Sequence, residues 1–168
     1  MFWFDVDTVL LYLEIPLELF LPPSPQYDHI HFLCGADHNS LNAGTFLIRV
    51  SDYSLHMMAA VLTVESFRPG VDLRFSDQSA IEHNITSQDC VRPFDNFTYA
   101  DEYARIPQRW FNVLPWPARR ERSCQAGKPM IGNSLMEGDM LVHFAGHGET
   151  KERRMTKFMN AWERDKLA

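Results

Sequence analysis

The chain has 168 residues, of which 45% are hydrophobic and 12% aromatic, and this composition is typical of a folded domain, not of a disordered segment. The net charge of −6 argues against a nucleic-acid partner, because proteins that bind nucleic acids usually carry a basic surface. No apolar run approaches the length of a transmembrane helix, and no basic residues precede the apolar start as they would in a signal peptide. We therefore predict one domain over residues 1–168, without a signal or transmembrane segment of its own.

An apolar and aromatic run opens the chain over residues 2–11 and contains two acidic residues, Asp5 and Asp7. The run lacks proline and glycine and is rich in β-branched and aromatic residues, so it predicts a buried strand. Side chains two positions apart lie on the same side of a strand, so these carboxylates could share Mg²⁺ or Mn²⁺ at its end. The plainer alternative is that one aspartate caps a turn and the other is solvated.

Two short strands with a polar turn between them are predicted next. Residues 30–34 and residues 45–50 are apolar, and residues 35–40 are mostly small or polar. Asn42 and Gly44 lie in the approach to the second strand, where they predict a tight turn.

Two helices are predicted in the middle of the chain. The first is capped by Ser51 or Asp52 and runs to about residue 65. Its apolar residues recur at helical spacing and should share a buried face: Leu55, Met58, Ala59 and Leu62. The second helix follows Ser76 and begins with Asp77 and Gln78, whose place at a helix start favours polar ligands, although simple capping explains them equally well.

The second half of the chain is less regular. Residues 86–104 predict a loop, residues 105–113 an extended segment against an apolar wall, and residues 115–136 an irregular basic stretch. Residues 140–146 read as a buried strand. The segment from residue 150 to residue 167 is an amphipathic helix, with an apolar face formed by Met155, Phe158, Met159 and Trp162.

His143 lies near the end of the late apolar strand. A lone histidine on a strand is more often a core residue that bonds to the backbone, but a neutral imidazole also suits Mn²⁺. Gly146 follows shortly after it, so the backbone there can approach a ligand closely.

Cysteines and glycosylation sequons restrict the location of the protein only weakly. Cys34, Cys90 and Cys124 have neither the number nor the spacing of a disulfide framework or a zinc site. Asn84 and Asn96 each begin an Asn-x-Thr sequon, a short pattern that permits a lumenal location without requiring one.

Five segments together resemble glycosyltransferase family 34, and they occur in the order seen in that family. They are WFDVD at residues 3–7, LNAGTFLIR at 41–49, DQSA at 77–80, PQRWFN at 107–112 and HFAG at 143–146. The chain looks like a fungal member of this galactosyltransferase family, which also includes α-mannosyltransferases and plant xyloglucan xylosyltransferases.

The resemblance implies a GT-A fold, which is a Rossmann-like α/β fold with an acidic metal motif at a strand end. It also implies a retaining transferase that moves a hexose or pentose from a nucleotide-sugar donor to a glycan acceptor with the help of Mn²⁺. By position, Asp5 and Asp7 match the family's D-x-D motif, and His143 matches its third metal ligand.

The resemblance further implies roles for residues that would surround the donor. Asp77 and Gln78 match the residues next to the donor sugar and its reacting carbon. The Gln78 amide oxygen would stabilise a positively charged, oxocarbenium-like sugar. Asn42 and Gly44 match the loop that lines the sugar and the acceptor, and Gly146 is assigned to the same binding region.

The chain departs from the family pattern in two places. Nothing precedes the D-x-D strand, so the nucleotide-binding strands of the family are missing, and we expect a C-terminal portion whose activity alone is in doubt. Gly148 stands near the position where plant members carry a lysine, so no contact from a lysine to the diphosphate is predicted there. The family's location would be the Golgi lumen, on a type II membrane anchor that this chain lacks.

Two other interpretations remain open at this point. Asp5 and Asp7 also fit the D-x-D-x-[TV] start of haloacid-dehalogenase-like phosphatases, in which the first aspartate is the nucleophile and the second the general acid. No later acidic pair supports that interpretation, since His143 stands where one is needed. The chain could also be a degenerate, non-catalytic relative of the transferases.

Overall fold

The computed structural model of the protein describes residues 1–37, 40–86, 99–115, 135–146 and 150–166. Six strands and four helices lie in these ranges. In chain order they are β1 (Phe2–Phe4), β2 (Thr8–Leu10), β3 (Phe32–Asp37), β4 (Ser40–Ile48), α1 (Asp52–Phe67), α2 (Asp77–Thr86), β5 (Tyr103–Arg105), α3 (Gln108–Phe111), β6 (Leu141–His143) and α4 (Lys151–Lys166). Two short 3₁₀ helices span Leu17–Phe20 and Tyr99–Glu102.

Two sheets form the framework. The larger has the strand order β1-β4-β3-β5, in which β4 is antiparallel to β1 and β3, and β5 is parallel to β3. The smaller is an antiparallel pair of β2 and β6, in which Thr8 is opposite His143. The chain therefore leaves the first sheet after β1 and enters the second at β2, and the two aspartates lie at this crossing.

Alternation along the central strands separates the core into two layers. Phe32 and Phe46 face one side of the larger sheet, where they pack with Met57 of α1 and with Ile81 of α2. The opposite side is covered by residues of α3, β6 and the N-terminal segment, including Phe111 and Leu141. A third apolar cluster joins α4 to β2 and β6 through Val142, Phe144, Met155, Phe158 and Trp162.

The prediction of one buried strand over residues 2–11 is wrong. The run is divided into β1 and β2, and between them Val6 stands 95% exposed at the tip of a turn. β1 is at the edge of its sheet, where Trp3 is 48% and Phe4 is 45% exposed. A continuous buried strand would have enclosed both carboxylates, whereas the turn leaves Asp5 only partly buried.

The polar turn predicted over residues 35–40 is too long, because the antiparallel strands β3 and β4 already pair at Asp37 and Ser40. Gly35 and Asp37 belong to β3, and β4 already begins at Ser40, so Asn42 and Gly44 lie inside a long buried strand. Small and polar residues suggested a turn, but pairing with β3 on one side and β1 on the other satisfies the backbone of β4. The tertiary context therefore overrides the local signal.

Helix α1 starts after Ser51 as predicted, and the Ser51 N–H donates to Ser54 Oγ at 2.9 Å. Its predicted buried face is wrong, because Leu55 is 68% and Leu62 is 85% exposed. The buried stripe lies on another side of the helix and consists of Tyr53, Ser54, Met57 and Val64. Apolar residues occur all around this helix, so their spacing alone could not select the face that packs.

Part of the predicted loop at 86–104 and of the extended segment at 105–113 is regular structure. Tyr103–Arg105 is strand β5, and Gln108–Phe111 is the short helix α3, which follows Pro107. Proline suits the start of a helix because its missing N–H is not needed there. The apolar wall is present, since Phe111 and Val113 are fully buried.

The C-terminal predictions are largely confirmed. Strand β6 is fully buried, and Met155, Phe158 and Trp162 of α4 pack against the smaller sheet. Met159 is the exception, because 43% of it is exposed. In the described part of the chain, every helix is too short or too polar to span a lipid bilayer.

The structure also bears on the sequons and cysteines. Asn84 is only 5% exposed, and its Nδ2 donates to the Ala80 carbonyl at 2.9 Å, so the folded chain does not present this sequon. Cys34 is a buried free thiol. The sequon at Asn96, the cysteines Cys90 and Cys124, the basic stretch beyond residue 115 up to residue 134, and Gly148 lie outside the described residues.

Candidate metal and donor site

The turn between β1 and β2 is fastened to its neighbours by backbone hydrogen bonds. The Asp5 N–H donates to the Gly44 carbonyl of β4 at 2.8 Å, and the Thr8 N–H closes the turn on the Asp5 carbonyl at 3.0 Å. The Phe144 N–H donates to the Asp7 carbonyl at 2.9 Å. Because both sheets hold this turn, the two carboxylates have defined positions between β4 and the end of β6.

His143 is the last residue of β6 and only 3% exposed. Its Nε2 lies 3.4 Å from Asp7 Oδ1, and its Nδ1 lies 2.7 Å from Asn112 Oδ1. An amide oxygen at this distance accepts from an Nδ1–H, and that tautomer would leave the lone pair of Nε2 facing the carboxylate.

Asp5, Asp7 and His143 form a cluster in which one possible ligand atom from each lies within 4.8 Å of the others. Two carboxylates and an imidazole lone pair are all acceptors, so their proximity is unfavourable without a positive charge between them. Carboxylate oxygens and a neutral imidazole are a suitable donor set for Mn²⁺. These three residues could therefore hold a divalent cation.

A lysine that the sequence did not single out also reaches this cluster. Lys151, the first residue of α4, forms an ion pair and hydrogen bond with Asp7 Oδ2. The helix dipole disfavours a cation at the start of a helix, and this anomaly was the one sequence signal that could have drawn attention to Lys151. Its ammonium group neutralises part of the charge that the cluster accumulates.

Electrostatics differ between the two ends of the cluster. Burial raises the pKa of Asp5, and the nearby charges of Asp7 and Asp77 raise it further, against the lowering effects of the Trp3 indole N–H at 3.2 Å and of His143. Burial lowers the pKa of His143, although the carboxylates of Asp7 and Asp5 oppose this. The lowered pKa favours the neutral imidazole, which is the form that can ligate a cation.

Gly44 is required by the close approach of the imidazole. A Cβ atom at this position would lie 2.2 Å from His143 Cε1 and 2.9 Å from Nε2, too short for any side chain. Asn42 supports Gly44 from within β4. Its Oδ1 accepts from the Gly44 N–H at 2.9 Å, and its Nδ2 donates to Asp37 Oδ2 at 2.8 Å.

The remaining predicted residues are near the cluster to different degrees. The Ala43 N–H donates to Gln78 Oε1 at 3.2 Å, so the start of α2 is connected to β4 next to Gly44. Asp77 is near enough to Asp5 to raise its pKa. Gly146 has a positive φ of 114° and open space around its Cβ position among the described residues. Gly146 comes three residues after His143, and within the described part of the chain it has no hydrogen bond to the cluster.

The overall fold has a counterpart among solved structures. The structure resembles the crystal structure of a glycosyltransferase involved in the glycosylation of the major capsid of PBCV-1, with a TM-score of 0.60. The likeness covers 93% of this chain and 65% of that one at 12% sequence identity, so it concerns the fold alone. The mixed sheet with its flanking helices is a GT-A-like fold.

The sequence defines the family. The family model described as the galactosyl transferase GMA12/MNN10 family matches residues 21–154, and the chain belongs to this family. Over 121 residues it is 31% identical to a probable alpha-1,2-galactosyltransferase, gmh1, of Schizosaccharomyces pombe. That match covers 71% of this chain but only 30% of the relative, so the chain corresponds to a minor part of the relative's length. Family membership favours a transferase over the phosphatase considered for Asp5 and Asp7.

Proposed function

We propose that this chain forms part of a GT-A-like catalytic domain of a retaining glycosyltransferase. The enzyme takes a sugar from a nucleotide-sugar donor and transfers it to a glycan acceptor. The observation that carries the proposal is the cluster of Asp5, Asp7 and His143, whose ligand atoms lie within 4.8 Å of one another in a chain of this family. The name of the fission-yeast relative makes galactose the first sugar to test.

In this proposal Asp5, Asp7 and His143 would hold Mn²⁺. When bound, it supplies Lewis-acid stabilisation of the negative charge that develops on the departing diphosphate. Asp5 and Asp7 provide the two negative charges that attract the cation, and His143 provides a neutral ligand, which limits the net charge of the site. Lys151 provides a second positive charge at Asp7, which would favour an anionic donor nearby.

Gln78 and Asp77 are proposed to act on the donor sugar. An amide oxygen has two acceptor lone pairs, so Gln78 Oε1 can bond to the Ala43 N–H and still face positive charge on the sugar. This dipole is fixed before the reaction, as effective electrostatic stabilisation requires. Asn42, Gly44 and Gly146 are proposed to border the donor and acceptor region, and Asn42 and Gly44 are also needed to keep His143 in place.

The proposed location is that of the family, the Golgi lumen, where nucleotide-sugar donors and glycan acceptors meet. A non-catalytic relative is the alternative, and the two are distinguished by metal binding and donor hydrolysis.

Metal binding by the 168-residue chain is the direct test. We expect Mn²⁺ to bind with a stoichiometry of one in isothermal titration calorimetry. The Asp7→Asn variant should lose at least about 100-fold in affinity because it loses a charged ligand of the proposed cation. The matched control is Asp72→Asn, since Asp72 is exposed and remote in sequence from the cluster.

Hydrolysis of nucleotide sugars, with UDP-galactose first, should then depend on Mn²⁺ and be lost in Asp7→Asn. Wild-type protein that binds no Mn²⁺, or an Asp7→Asn variant with unchanged affinity, would rule out the metal role. Metal binding without donor turnover, both in this chain and in a longer protein that includes the nucleotide-binding strands expected for the family, would favour the non-catalytic alternative.

A further inference from the structure

Asn112 is a buried polar residue to which the sequence assigned no role. It directly follows α3, and only 1% of it is exposed. Its Oδ1 lies 2.7 Å from His143 Nδ1, but its Nδ2 has no hydrogen-bond partner among the described residues. Burying an amide whose N–H₂ group has no partner costs free energy. We therefore expect a compensating role for the other amide atom, Oδ1, which contacts His143.

The backbone around Asn112 is held from several sides. The Asn112 N–H donates to the Gln108 carbonyl at 2.7 Å, and Gln108 Nε2 donates to the Asn112 carbonyl at 3.2 Å. On either side of it, the Phe111 carbonyl accepts from Thr45 Oγ1, and the Val113 carbonyl accepts from the His143 N–H at 2.7 Å. The side-chain amide is therefore presented to the imidazole from a rigid position that β4 and β6 both fix.

The chemistry of imidazole gives this contact a consequence. A neutral imidazole has one N–H and one lone pair, and the partner of one nitrogen decides which atom is which. With the amide oxygen at Nδ1, the proton stays on Nδ1, and the lone pair of Nε2 faces Asp7. In the other tautomer an Nε2–H would point at the carboxylates, and the ring could not ligate a cation through that atom.

We propose that Asn112 is the positioning residue that fixes the Nδ1–H tautomer of His143 and thereby makes Nε2 the atom offered to a divalent cation. This proposal rests on the proposed function in one respect, namely that the cation belongs to the cluster of Asp5, Asp7 and His143. Its tautomer component can be measured without any metal. A neutral amide suits this position because it orients the ring without adding a third negative charge to the cluster.

The test combines a spectrum of the metal-free protein with a metal titration. Long-range ¹H–¹⁵N correlation NMR at about pH 8, above the ordinary pKa of histidine, reports which nitrogen of His143 is protonated. We expect Nδ1–H in the wild type and a mixture of tautomers in Asn112→Leu, which keeps the volume and removes the acceptor. Asn112→Asp, which keeps an acceptor oxygen, should retain Nδ1–H and serves as the rescue variant.

The affinity for Mn²⁺ should fall about 10- to 100-fold in Asn112→Leu, the usual effect of removing a partner of a ligating histidine, and should be retained in Asn112→Asp. Asn84→Leu is the matched control, because Asn84 is also buried in a helical region but bonds to the Ala80 carbonyl. Circular dichroism confirms that each variant is folded.

An Nε2–H tautomer in the wild type would overturn the proposal, as would an Asn112→Leu variant with wild-type tautomer and affinity. If Asn112→Leu does not fold, the tautomer of His143 measured in the wild type and in Asn112→Asp decides whether the proposal holds. If the wild type binds no Mn²⁺, the proposed function fails, while the tautomer measurement still decides the role of Asn112.

Discussion

His143 and Asp5 lie on two sides of the same cluster and are held in different ways. The imidazole is 3% exposed, bonds to Asn112 through Nδ1, and packs against Gly44, where no side chain fits. Asp5 is partly buried on an exposed turn, and its carboxylate accepts from the indole of Trp3, a residue that is itself 48% exposed. One candidate ligand, His143, is fixed within the core, and the other, Asp5, is positioned by contacts at the surface.

This difference indicates how such a site can be both ordered and accessible. The inner side of the cluster, which is formed by His143 with Asn112 and Gly44, has its geometry fixed during folding. This lowers the entropic cost of ordering these residues when a ligand binds. The outer side keeps its adjustable groups, namely Asp5 and the ammonium of Lys151, where a cation or an anionic donor would enter. Three substitutions test this division, beginning with the inner side.

Gly44→Ala should have the largest effect on metal binding, because its Cβ would lie 2.2 Å from His143 Cε1 and the ring would have to move. We expect the loss of detectable Mn²⁺ binding and a decrease in the free energy of unfolding of about 1–3 kcal/mol, the usual range for overpacking. Calorimetric titration and urea unfolding measure the two effects. Gly35→Ala is the control, since a Cβ there makes only ordinary contacts, at 3.6 Å and 3.9 Å. Unchanged metal binding in Gly44→Ala would show that the inner side is not rigid.

Trp162→Ala tests whether α4, which carries Lys151, is held firmly on the smaller sheet. The indole contacts Tyr12 edge-on at 5.7 Å and stacks with Phe158 at 6.2 Å. It is partly buried, so we expect a loss near the lower end of the range for aromatic truncation, about 3 kcal/mol, in urea unfolding. Met159→Ala on the exposed side of the same helix should change stability by less than about 0.5 kcal/mol. Equal losses in the two variants would contradict the packing described for α4.

Lys151→Gln should have the smallest effect and the opposite sign. Its ammonium competes with a cation for Asp7, and its side chain is 37% exposed, so the ion pair is worth at most about 1 kcal/mol. Removing it should therefore raise the affinity for Mn²⁺ up to about fivefold in the absence of nucleotide. Lys157→Gln on the exposed face of α4 is the control and should leave the affinity unchanged. A lower affinity in Lys151→Gln would mean that the lysine supports the cation site instead of competing for it.

The sequence predicted the candidate ligands better than the elements that carry them. Asp5, Asp7 and His143 belong to short motifs that can be identified from the sequence without knowledge of the fold, and the structure brings them together. Asn42 and Gly44 were predicted in a turn because small and polar residues favour one, yet strand pairing at long range places both in β4.

Contacts between distant parts of the chain could not be predicted from the sequence. Lys151 meets Asp7 across 144 positions, and Asn112 meets His143 across 31, so neither pair leaves a periodic or local pattern. The packed face of α1 was missed for a related reason. Its apolar residues surround the helix, and only the position of the sheet decides which of them is buried. Long-range contacts and the choice of the buried helix face depend on the tertiary structure, which a short sequence motif does not specify.

The buried sequon in α2 makes glycosylation and folding mutually exclusive at that position. Asn84 uses its Nδ2, the atom that would receive a glycan, to bond to the Ala80 carbonyl inside the core. A glycan attached to Asn84 of the nascent chain would keep α2 from packing against the sheet. In a chain that folds first, Asn84 is buried and the enzyme that attaches N-glycans cannot reach it. In a lumenal compartment, the fraction of chains that carry sugar at Asn84 would therefore record how often modification outran folding.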